Sequence, residues 1–270
     1  MKPIFRTKGC TALVTGASAG LGAEFACQLA SDASRLVLVA RRKDRLDTLA
    51  DAIMRRFPAL RVDSFVADLS LDTERIRLHS WVVREEIPLN LLVNNAGLGD
   101  LGPFDNATWG RLSKILEVNV TALTHLTHLL LPMLCANKPS AIVNVSSVAS
   151  FYPLPDMAVY AASKAYVTSF SEALRIELLR EHVYVTTVCP GPVPTEFFEV
   201  ASRPGVKTQA KDRTHHSLCA TPELVVTKAI QGLERGKLEV IPNRLLALVV
   251  HGSRLLPSSL IRKLIQLRRR

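Results

Sequence analysis

Short apolar stretches alternate along the chain with longer amphipathic ones. The short stretches predict strands at 11–15, 35–40, 61–67, 89–94, 141–146, 183–189 and 237–241. The longer stretches have the period of helices and predict them at 21–31, 43–57, 71–86, 109–131, 159–181 and 222–235. Pro132 is expected to end or kink the fourth helix, because proline lacks the backbone N–H that a helix interior uses.

The strand segments are apolar on both faces. The runs at 36–39, 91–93 and 141–145 show little alternation between apolar and polar residues. Strands of this kind are covered on both sides, as in a parallel sheet flanked by helices. The sequence has no Gly- or Ser-rich linker and no internal repeat. We therefore predict one doubly wound α/β domain, whose ligand binds at the carboxyl ends of the strands.

Composition narrows the class of protein. The 270 residues are 48% hydrophobic and 21% charged, which is ordinary for a globular chain. No apolar run reaches the ~18 residues that span a bilayer, and the first residues lack the apolar core of a signal peptide. Five scattered cysteines without a Cys-x-x-Cys pair predict reduced thiols in the cytoplasm. The histidine pairs at 125/128 and 215/216 lack clear further ligands, so no metal site is predicted.

Basic charge is concentrated at the C-terminus. Residues 241–270 hold seven basic residues and no acidic ones, and subtracting these seven from the net charge of +10 leaves +3. The rest of the chain therefore gives no reason to predict nucleic-acid binding. We assign 1–243 to the domain and 244–270 to a basic amphipathic tail. The apolar residues near one helical face of that tail are Leu260, Ile261, Leu264, Ile265 and Leu267. Such a helix suits a membrane surface; packing on its own domain or on a second subunit is the alternative.

A glycine-rich turn follows the first predicted strand and leads into an apolar helix. Its residues are Thr15, Gly16, Ala17, Ser18, Ala19, Gly20, Leu21 and Gly22. Glycines let the backbone turn sharply and approach a pyrophosphate, which the N–H groups and dipole of the helix N-terminus stabilise. The spacing is Gly-x-x-x-Gly-x-Gly, unlike the Gly-x-Gly-x-x-Gly of the usual dinucleotide fingerprint. A turn without a ligand is the alternative.

Tyr160 and Lys164 lie four residues apart in a predicted helix, so their side chains share one face. A phenol is a poor acid or base at neutral pH because its pKa is ~10. A lysine ammonium one turn away, and an oxidised nicotinamide ring, would lower the pKa of the tyrosine by favouring its anion. A phenol tuned in this way could move a proton on and off an alcohol oxygen. A surface helix with an ordinary Tyr and Lys is the alternative.

Several motifs occur in one order over roughly residues 10–240. They are Thr-Gly-x-x-x-Gly-x-Gly at 15–22, Asn94-Asn95-Ala96-Gly97, Asn119, Ser147, Tyr160 with Lys164, and Pro190-Gly191. Together they resemble the short-chain dehydrogenase/reductase family. The resemblance implies a single Rossmann-type domain with a parallel seven-stranded sheet and helices on both faces. It also implies an enzyme that interconverts a carbonyl and an alcohol by hydride transfer.

The resemblance implies roles for four residues. Tyr160 would be the general acid/base, and Ser147 would position and polarise the substrate carbonyl. Lys164 would bind the cofactor ribose and lower the pKa of the tyrosine, and Asn119 would hold a water that feeds a proton relay. Ser146 competes for the serine role, but the thirteen-residue interval to Tyr160 is the family's own and selects Ser147.

The second predicted strand ends in three cations, Arg41, Arg42 and Lys43. In α/β dinucleotide folds an acid at this point binds the ribose of NAD, whereas an arginine accommodates the 2′-phosphate of NADP. Cations are unfavourable at a helix N-terminus, so a bound anion would explain them. We predict NADPH as the cofactor; a solvated basic turn is the alternative.

Further cofactor contacts follow from the resemblance. Asp68 resembles the adenine-contacting acid, with a helix N-cap as the alternative. Thr195 resembles the residue near the nicotinamide, and Val193 would offer backbone groups to the carboxamide. The predicted cofactor-binding residues are Gly16, Ser18, Gly20, Leu21, Gly22, Arg41, Arg42, Asp68, Asn95, Ala96, Gly97, Tyr160, Lys164, Pro190, Gly191, Val193 and Thr195.

The substrate side is predicted to be apolar, which indicates a hydrophobic ketone or aldehyde. Its residues are Leu98, Val148, Ala149, Phe151, Pro153, Leu154 and Met157. The resemblance implies a substrate lid at about 193–220 and a homodimer or homotetramer. A membrane-surface reductase of a 3-oxoacyl or steroid-like ketone is one alternative. A non-catalytic dinucleotide-sensing protein is another, and the four filled catalytic positions argue against it.

Overall fold

The apolar stretches form seven strands in the computed structural model, which describes residues 4–203 and 219–267. The strands are β1 (Thr11–Thr15), β2 (Arg35–Ala40), β3 (Arg61–Val66), β4 (Leu91–Asn94), β5 (Ser140–Val145), β6 (Val183–Val188) and β7 (Glu239–Val240). All neighbours pair in parallel, in the order β3-β2-β1-β4-β5-β6-β7. The prediction of a seven-stranded parallel sheet is confirmed.

Helices fill the connections between these strands. They are α1 (Gly20–Leu29), α2 (Lys43–Arg56), α3 (Asp72–Arg84), α4 (Trp109–Leu116), α5 (Leu123–Ala136), α6 (Ala158–Glu177), α7 (Phe197–Ala201), α8 (Pro222–Glu234), α9 (Arg244–Ser253) and α10 (Ser258–Leu267). A π-helical segment, Glu117–Ala122, joins α4 to α5 without a break. All six predicted helices are present, with ends displaced by a few residues.

The sheet is covered on both faces, as the doubly apolar strands predict. Along β2, Leu36 and Leu38 belong to one buried cluster, and Val37 and Val39 belong to the other. The first cluster contains residues of α1, α2 and α8, and the second contains residues of α3, α5 and α6. Two helical layers therefore enclose the sheet and fix the positions of its strand ends.

The expected effect of Pro132 is partly wrong. The helix does not end there: α5 continues through Pro132 to Ala136. The apolar packing of Leu130 and Leu134 on the sheet holds the last turn in place despite the missing N–H donor. The continuous helix from Trp109 to Ala136 is long and apolar enough to cross a membrane by length and composition alone. However, a large part of it is buried against the sheet, as in the core helix of a folded domain.

The C-terminal tail forms two helices that add no strand to the sheet. Asn243 caps α9, because its side-chain oxygen accepts hydrogen bonds from the N–H groups of Leu245 (2.9 Å) and Leu246 (3.1 Å). The predicted lid at 193–220 contains α7, and its residues 204–218, including the histidine pair at 215/216, lie outside the described part of the chain.

Candidate active site

A cleft of about 490 Å³ opens at the carboxyl edge of the sheet, where the strand order reverses beside β1. Ligands bind at this point in open α/β sheets. Sixteen of the seventeen predicted cofactor-binding residues line it; Gly22 does not. Of the predicted catalytic residues, Ser147, Tyr160 and Lys164 line the cleft, whereas Asn119 lies behind it.

The glycine turn lies at the floor of the cleft. Gly16 and Gly20 have positive φ values of 67° and 55°, which side chains other than glycine rarely adopt. A Cβ at Gly22 would lie 2.2 Å from the carbonyl oxygen of Gly16, so only glycine fits there. The first turn of α1 has neither a side-chain cap nor an acidic residue, which leaves its N–H groups available to an anion. These features fit the pyrophosphate of a dinucleotide.

Asn95 fastens the loop after β4 to the glycine turn. Its side-chain amide donates to the carbonyl oxygen of Thr15 (2.9 Å), and its own N–H and that of Ala96 donate to the Thr15 hydroxyl (2.9 and 3.0 Å). The side-chain amide of Asn95 already donates to the backbone of the glycine turn. Its role is therefore to hold the shape of the turn rather than to donate a hydrogen bond to a cofactor.

Arg42 and Ser18 form a polar corner at the end of β2. The Nε and Nη2 atoms of Arg42 donate to the Ser18 hydroxyl at 3.2 and 3.1 Å. Arg41 lies 4.0 Å from the carboxylate of Asp68, which Lys114 approaches to 3.5 Å. The corner offers the guanidinium and hydroxyl groups that commonly bind a phosphate, and Glu196 also bonds Arg42 there.

Asp68 is not the N-cap of α3, because Leu71 holds that position. Its carboxylate instead accepts hydrogen bonds from the hydroxyl (2.7 Å) and N–H (3.1 Å) of Ser70. Burial alone would raise the pKa of Asp68, but these bonds and the nearby Lys114 and Arg41 charges outweigh it and lower the pKa. The carboxylate thus stays ionised at the edge of the cleft.

Tyr160 and Ser147 line the same part of the cleft. Ser147 follows β5, and its side chain accepts a hydrogen bond from the N–H of Ala149 at 3.1 Å. Burial raises the pKa of Tyr160 to about 12, although a hydrogen bond with Ser147 lowers it in part. The expectation of a lowered tyrosine pKa is therefore wrong for the protein alone, because desolvation of the phenol dominates.

Lys164 lies one turn further along α6, as the four-residue spacing predicts. Its Nζ donates to the carbonyl oxygen of Val145 at 2.8 Å and lies 5.9 Å from the centre of the Tyr160 ring. Burial lowers the pKa of Lys164 to about 8, so the ammonium form still prevails at neutral pH. Ser146 bonds the backbone carbonyl of Lys164 and the Thr168 hydroxyl, which makes it a packing residue of this helix.

Asn119 is buried in the π-helical segment, a feature that often marks functional sites. Its side-chain oxygen accepts from the N–H of Leu98 (2.8 Å), and its amide donates to the Leu98 carbonyl and the Ser163 hydroxyl (both 2.9 Å). The side chain thus holds the loop after β4 against α6. Because its amide and its oxygen already have partners, a water at Asn119 would have to bind the backbone carbonyl of that residue.

The substrate wall is apolar, as expected. Five of the seven predicted residues line the cleft, and Phe151 and Pro153 do not. Phe197 of α7 closes this side, with its ring centre 5.3 Å from that of Tyr160. Gly99 makes room for it, because a Cβ there would lie 2.6 Å from the Phe197 ring.

Sequence reasoning missed the ion pairs that hold this wall. Arg203 donates to the buried carboxylate of Asp100 (Nε to Oδ1, 2.8 Å), and Arg111 bonds the same carboxylate and the carbonyl oxygen of Ala201 (2.7 Å). It also missed Glu196, which bonds Arg42 across the cleft. Arg203 and Asp100 are 103 residues apart in sequence, and Arg42 and Glu196 are 154 apart, so no local pattern could have revealed these two pairs. Only Arg111 is near its partner Asp100 in sequence.

Comparison with known proteins agrees with this geometry. The family model described as short chain dehydrogenase matches residues 10–204. The chain belongs to the short-chain dehydrogenase/reductase family. Members of this family are oxidoreductases that use NAD or NADP.

Relatives within this family carry different names. A sulfoacetaldehyde reductase of Chromohalobacter salexigens is 36% identical over 214 residues, covering 77% of this chain and 81% of its own length. A very-long-chain 3-oxoacyl-CoA reductase of Pyrenophora tritici-repentis is 32% identical over 187 residues, covering 68% of this chain. The chain spans only 55% of that relative's length.

Solved structures of other proteins share the fold. A short-chain dehydrogenase from Sphingobium yanoikuyae in complex with NADPH is 32% identical, with a TM-score of 0.80, and the match covers 91% of this chain and 93% of that one. A family member from Burkholderia phymatum in complex with NAD is 24% identical with a TM-score of 0.81, and the match covers 93% of this chain and 95% of that one; this likeness shows the fold alone.

Proposed function

We propose that this chain is an NADP(H)-dependent oxidoreductase that interconverts a hydrophobic ketone or aldehyde and its alcohol. The observation that carries this proposal is that Ser147, Tyr160 and Lys164 line one cleft, between an apolar wall and a phosphate-binding turn. The short-chain dehydrogenase from Sphingobium yanoikuyae in complex with NADPH supports the choice of cofactor.

The residues of this chain would divide the reduction between them. The cleft lined by Gly16 and Gly20 would hold a reduced nicotinamide dinucleotide, which would supply the hydride. Ser147 donates a hydrogen bond to the substrate carbonyl oxygen and so polarises it, and Tyr160 gives that oxygen its proton. Burial keeps the phenol of Tyr160 protonated in the protein alone but makes it a weaker acid, so proton transfer depends on nearby positive charge that stabilises the phenolate. The buried Lys164 ammonium stabilises the phenolate that remains.

The experiment that tests this mechanism is Tyr160→Phe, assayed by NADPH consumption against a panel of apolar ketones. Loss of the proton donor is expected to lower turnover by roughly 10²–10⁴-fold while NADPH still binds. Tyr166→Phe is the matched control, because Tyr166 lies on the same helix but bonds Thr124 at the surface. Near-normal turnover in Tyr160→Phe would refute the mechanism, and no turnover in the wild type would favour a dinucleotide-sensing protein.

The cofactor preference is tested separately. In Arg42→Ala and in Arg41→Ala, the affinity for NADPH should fall by roughly 10- to 100-fold, because a charge-assisted hydrogen bond contributes roughly 1.5–3 kcal/mol. The affinity for NADH should change little. Equal losses for both cofactors would remove the argument for a 2′-phosphate site.

The tail favours a second candidate, a reductase that works at a membrane surface on a lipid ketone such as a 3-oxoacyl thioester. Val250 is the buried residue of α9. The large apolar side chains exposed on the tail are Leu245, Leu248, Val249, Leu255, Leu256, Leu260, Leu264 and Leu267. Cations accompany them without acids, which is how an interfacial helix is built.

This tail packs against Phe151 and Tyr152, which follow residues that line the cleft. A membrane-bound tail would therefore bring the cleft near the lipid. The Tyr152 and Ser253 hydroxyls are 2.9 Å apart, and the Arg254 guanidinium lies 4.7 Å from the centre of the Phe151 ring. Support also comes from the relatives named very-long-chain 3-oxoacyl-CoA reductase.

Vesicle co-sedimentation tests the membrane-surface candidate. The protein should sediment with phosphatidylcholine vesicles that contain phosphatidylserine, and the double variant Leu255→Ser, Leu264→Ser should not. Val83→Ser, an exposed apolar residue of α3, is the control and should bind as the wild type does. Equal sedimentation of all three proteins would contradict a membrane role for the tail.

We also propose that the protein is located in the cytoplasm, which cell fractionation tests.

We also propose a homodimer or homotetramer through the helices at 109–131 and 159–181. Exposed apolar side chains on α4 and α6, among them Trp109 and Ile176, support it. Sedimentation velocity should give a mass of two or four chains, and a monomer at micromolar concentration would contradict the assembly.

A further inference from the structure

Glu196 connects the start of the substrate lid to the cofactor corner. Its Oε2 accepts a hydrogen bond from Nη1 of Arg42 at 2.9 Å, and its Oε1 pairs with Arg45. The two arginines belong to the segment that follows β2, whereas Glu196 directly precedes α7. These ion pairs therefore link two parts of the cleft that lie about 150 residues apart in sequence.

The hydrogen bonds of Arg42 leave little room for another anion. Nε and Nη2 form the edge that faces Ser18, and Nη1 bonds Glu196. A phosphate that takes two parallel bonds from this guanidinium must replace one of these partners. The Ser18 hydroxyl can turn and donate to the phosphate. The Glu196 carboxylate cannot, because it carries no proton to give and repels the phosphate.

We propose that Glu196 is a specificity-determining residue that competes with the 2′-phosphate of the cofactor for Arg42, and so couples cofactor choice to the position of α7. This inference rests on the proposed use of NADP(H). A phosphate carries more charge than a carboxylate and displaces it from Arg42. Glu196 then keeps only Arg45, and the start of α7 is less restrained.

The neighbours of Glu196 make this coupling relevant to the reaction. Thr195 lies against the glycine turn, since a Cβ at Gly20 would be 3.3 Å from its methyl group. Phe197 packs on the ring of Tyr160. A change at Glu196 is thus adjacent both to the phosphate-binding turn and to the substrate wall. Because binding free energies are reciprocal, a lid contact that weakens phosphate binding must itself be weakened by the phosphate.

The exposure of these groups sets the size of the effect. The side chains of Arg42, Arg45 and Glu196 are each 41–43% exposed, so solvent and salt screen their interactions. Removing one like charge at a few ångströms from a bound phosphate is expected to change affinity by about three- to tenfold at low salt, and by less at high salt.

The test is the binding of 2′,5′-ADP and of 5′-AMP to the cofactor-free protein, measured by calorimetry. These nucleotides differ only in the 2′-phosphate and need neither nicotinamide nor turnover. Glu196→Gln should bind 2′,5′-ADP about three- to tenfold more tightly than the wild type does and 5′-AMP equally well. Glu199→Gln is the matched control, because it removes the same charge from an exposed position on α7 and should change neither affinity.

Hydrogen exchange provides a second readout that does not depend on affinity. In the wild type, saturating 2′,5′-ADP should speed amide exchange at 197–201 relative to saturating 5′-AMP, because Arg42 releases Glu196. In Glu196→Gln this difference should disappear.

The outcomes separate this inference from the proposed function. A wild type that binds the two nucleotides equally would overturn both the proposed preference for NADP(H) and the competition. A wild type that prefers 2′,5′-ADP, with Glu196→Gln binding it no more tightly, would overturn the competition alone. Tighter binding by Glu199→Gln to the same extent would also overturn it, since the effect would then be one of general charge.

Discussion

The two sides of the cleft are held by different interactions. On the cofactor side, close backbone contacts and hydrogen bonds among Thr15, Gly16, Gly22 and Asn95 leave no room for a larger side chain at the glycines. On the substrate side, α7 is held by side-chain ion pairs, of which the pair with Arg42 is half exposed. The cofactor side is thus fixed by the shape of the backbone, whereas the substrate side is held by ion pairs: a buried one at Asp100, and one between Arg42 and Glu196 for which solvent, salt or a ligand can compete.

The largest effect should come from filling the closest backbone contact. In Gly22→Ala, the new methyl group would meet the carbonyl oxygen of Gly16, and forcing such an atom into a packed site costs roughly 1–3 kcal/mol. We expect NADPH affinity, measured by the fluorescence of the bound cofactor, to fall by roughly 10- to 100-fold. Gly110→Ala is the control, since no atom lies within 4 Å of a Cβ there. Unchanged affinity in Gly22→Ala would mean that the turn does not cradle the cofactor.

A smaller effect is expected from weakening the ion pairs of Asp100 with Arg111 and Arg203, which hold the end of α7. Burial alone would raise the pKa of Asp100, but the hydrogen bonds from Arg203 and Arg111 outweigh it and lower the pKa, so the carboxylate is ionised. Asp100→Asn removes the charge between two arginines, and removing one partner of a buried pair is strongly destabilising. Because α7 can open locally, we expect the KM for an apolar ketone to rise by about five- to tenfold while kcat changes little.

Limited proteolysis at 197–203 provides the second measurement for Asp100→Asn, and cleavage should be faster than in the wild type. Asp105→Asn, an exposed carboxylate on the same loop, should behave as the wild type does. If Asp100→Asn instead lowered NADPH affinity and left KM unchanged, the division between the two sides of the cleft would be wrong.

The same difference explains what the sequence could and could not predict. The strands β1, β2, β4 and β5 were predictable because each is buried on both faces. The residues of the glycine turn were predictable because a backbone constraint permits only one residue type there. The ion pair of Arg203 with Asp100 was not predictable, since it depends on where a loop returns after 103 residues. The raised pKa of Tyr160 was also missed, because a motif gives the spacing to Lys164 but not the burial of the phenol.

An effect on stability rather than on binding is expected from the buried Lys164, whose pKa falls to about 8 on folding. Between pH 8 and its ordinary value of 10.5, the unfolded chain holds a proton that the folded chain has released. The free energy of unfolding therefore gains a contribution that rises with pH, by at most about 1.4 kcal/mol per pH unit. The thiols of Cys10 and Cys189 oppose this above pH 9, because burial raises their pKa to about 12.

Comparison with Lys164→Met isolates the lysine from these thiols. We expect the wild type to gain stability relative to Lys164→Met in urea denaturation as the pH rises from 7.5 to 9.5, since the variant has no proton to release. Lys237→Met, at an exposed position, should show no such trend. A difference between wild type and Lys164→Met that stays constant with pH would mean that Lys164 is more hydrated than its position suggests. The catalytic centre would then be as open to solvent as the Arg42–Glu196 pair, and the contrast between the two sides of the cleft would not extend to it.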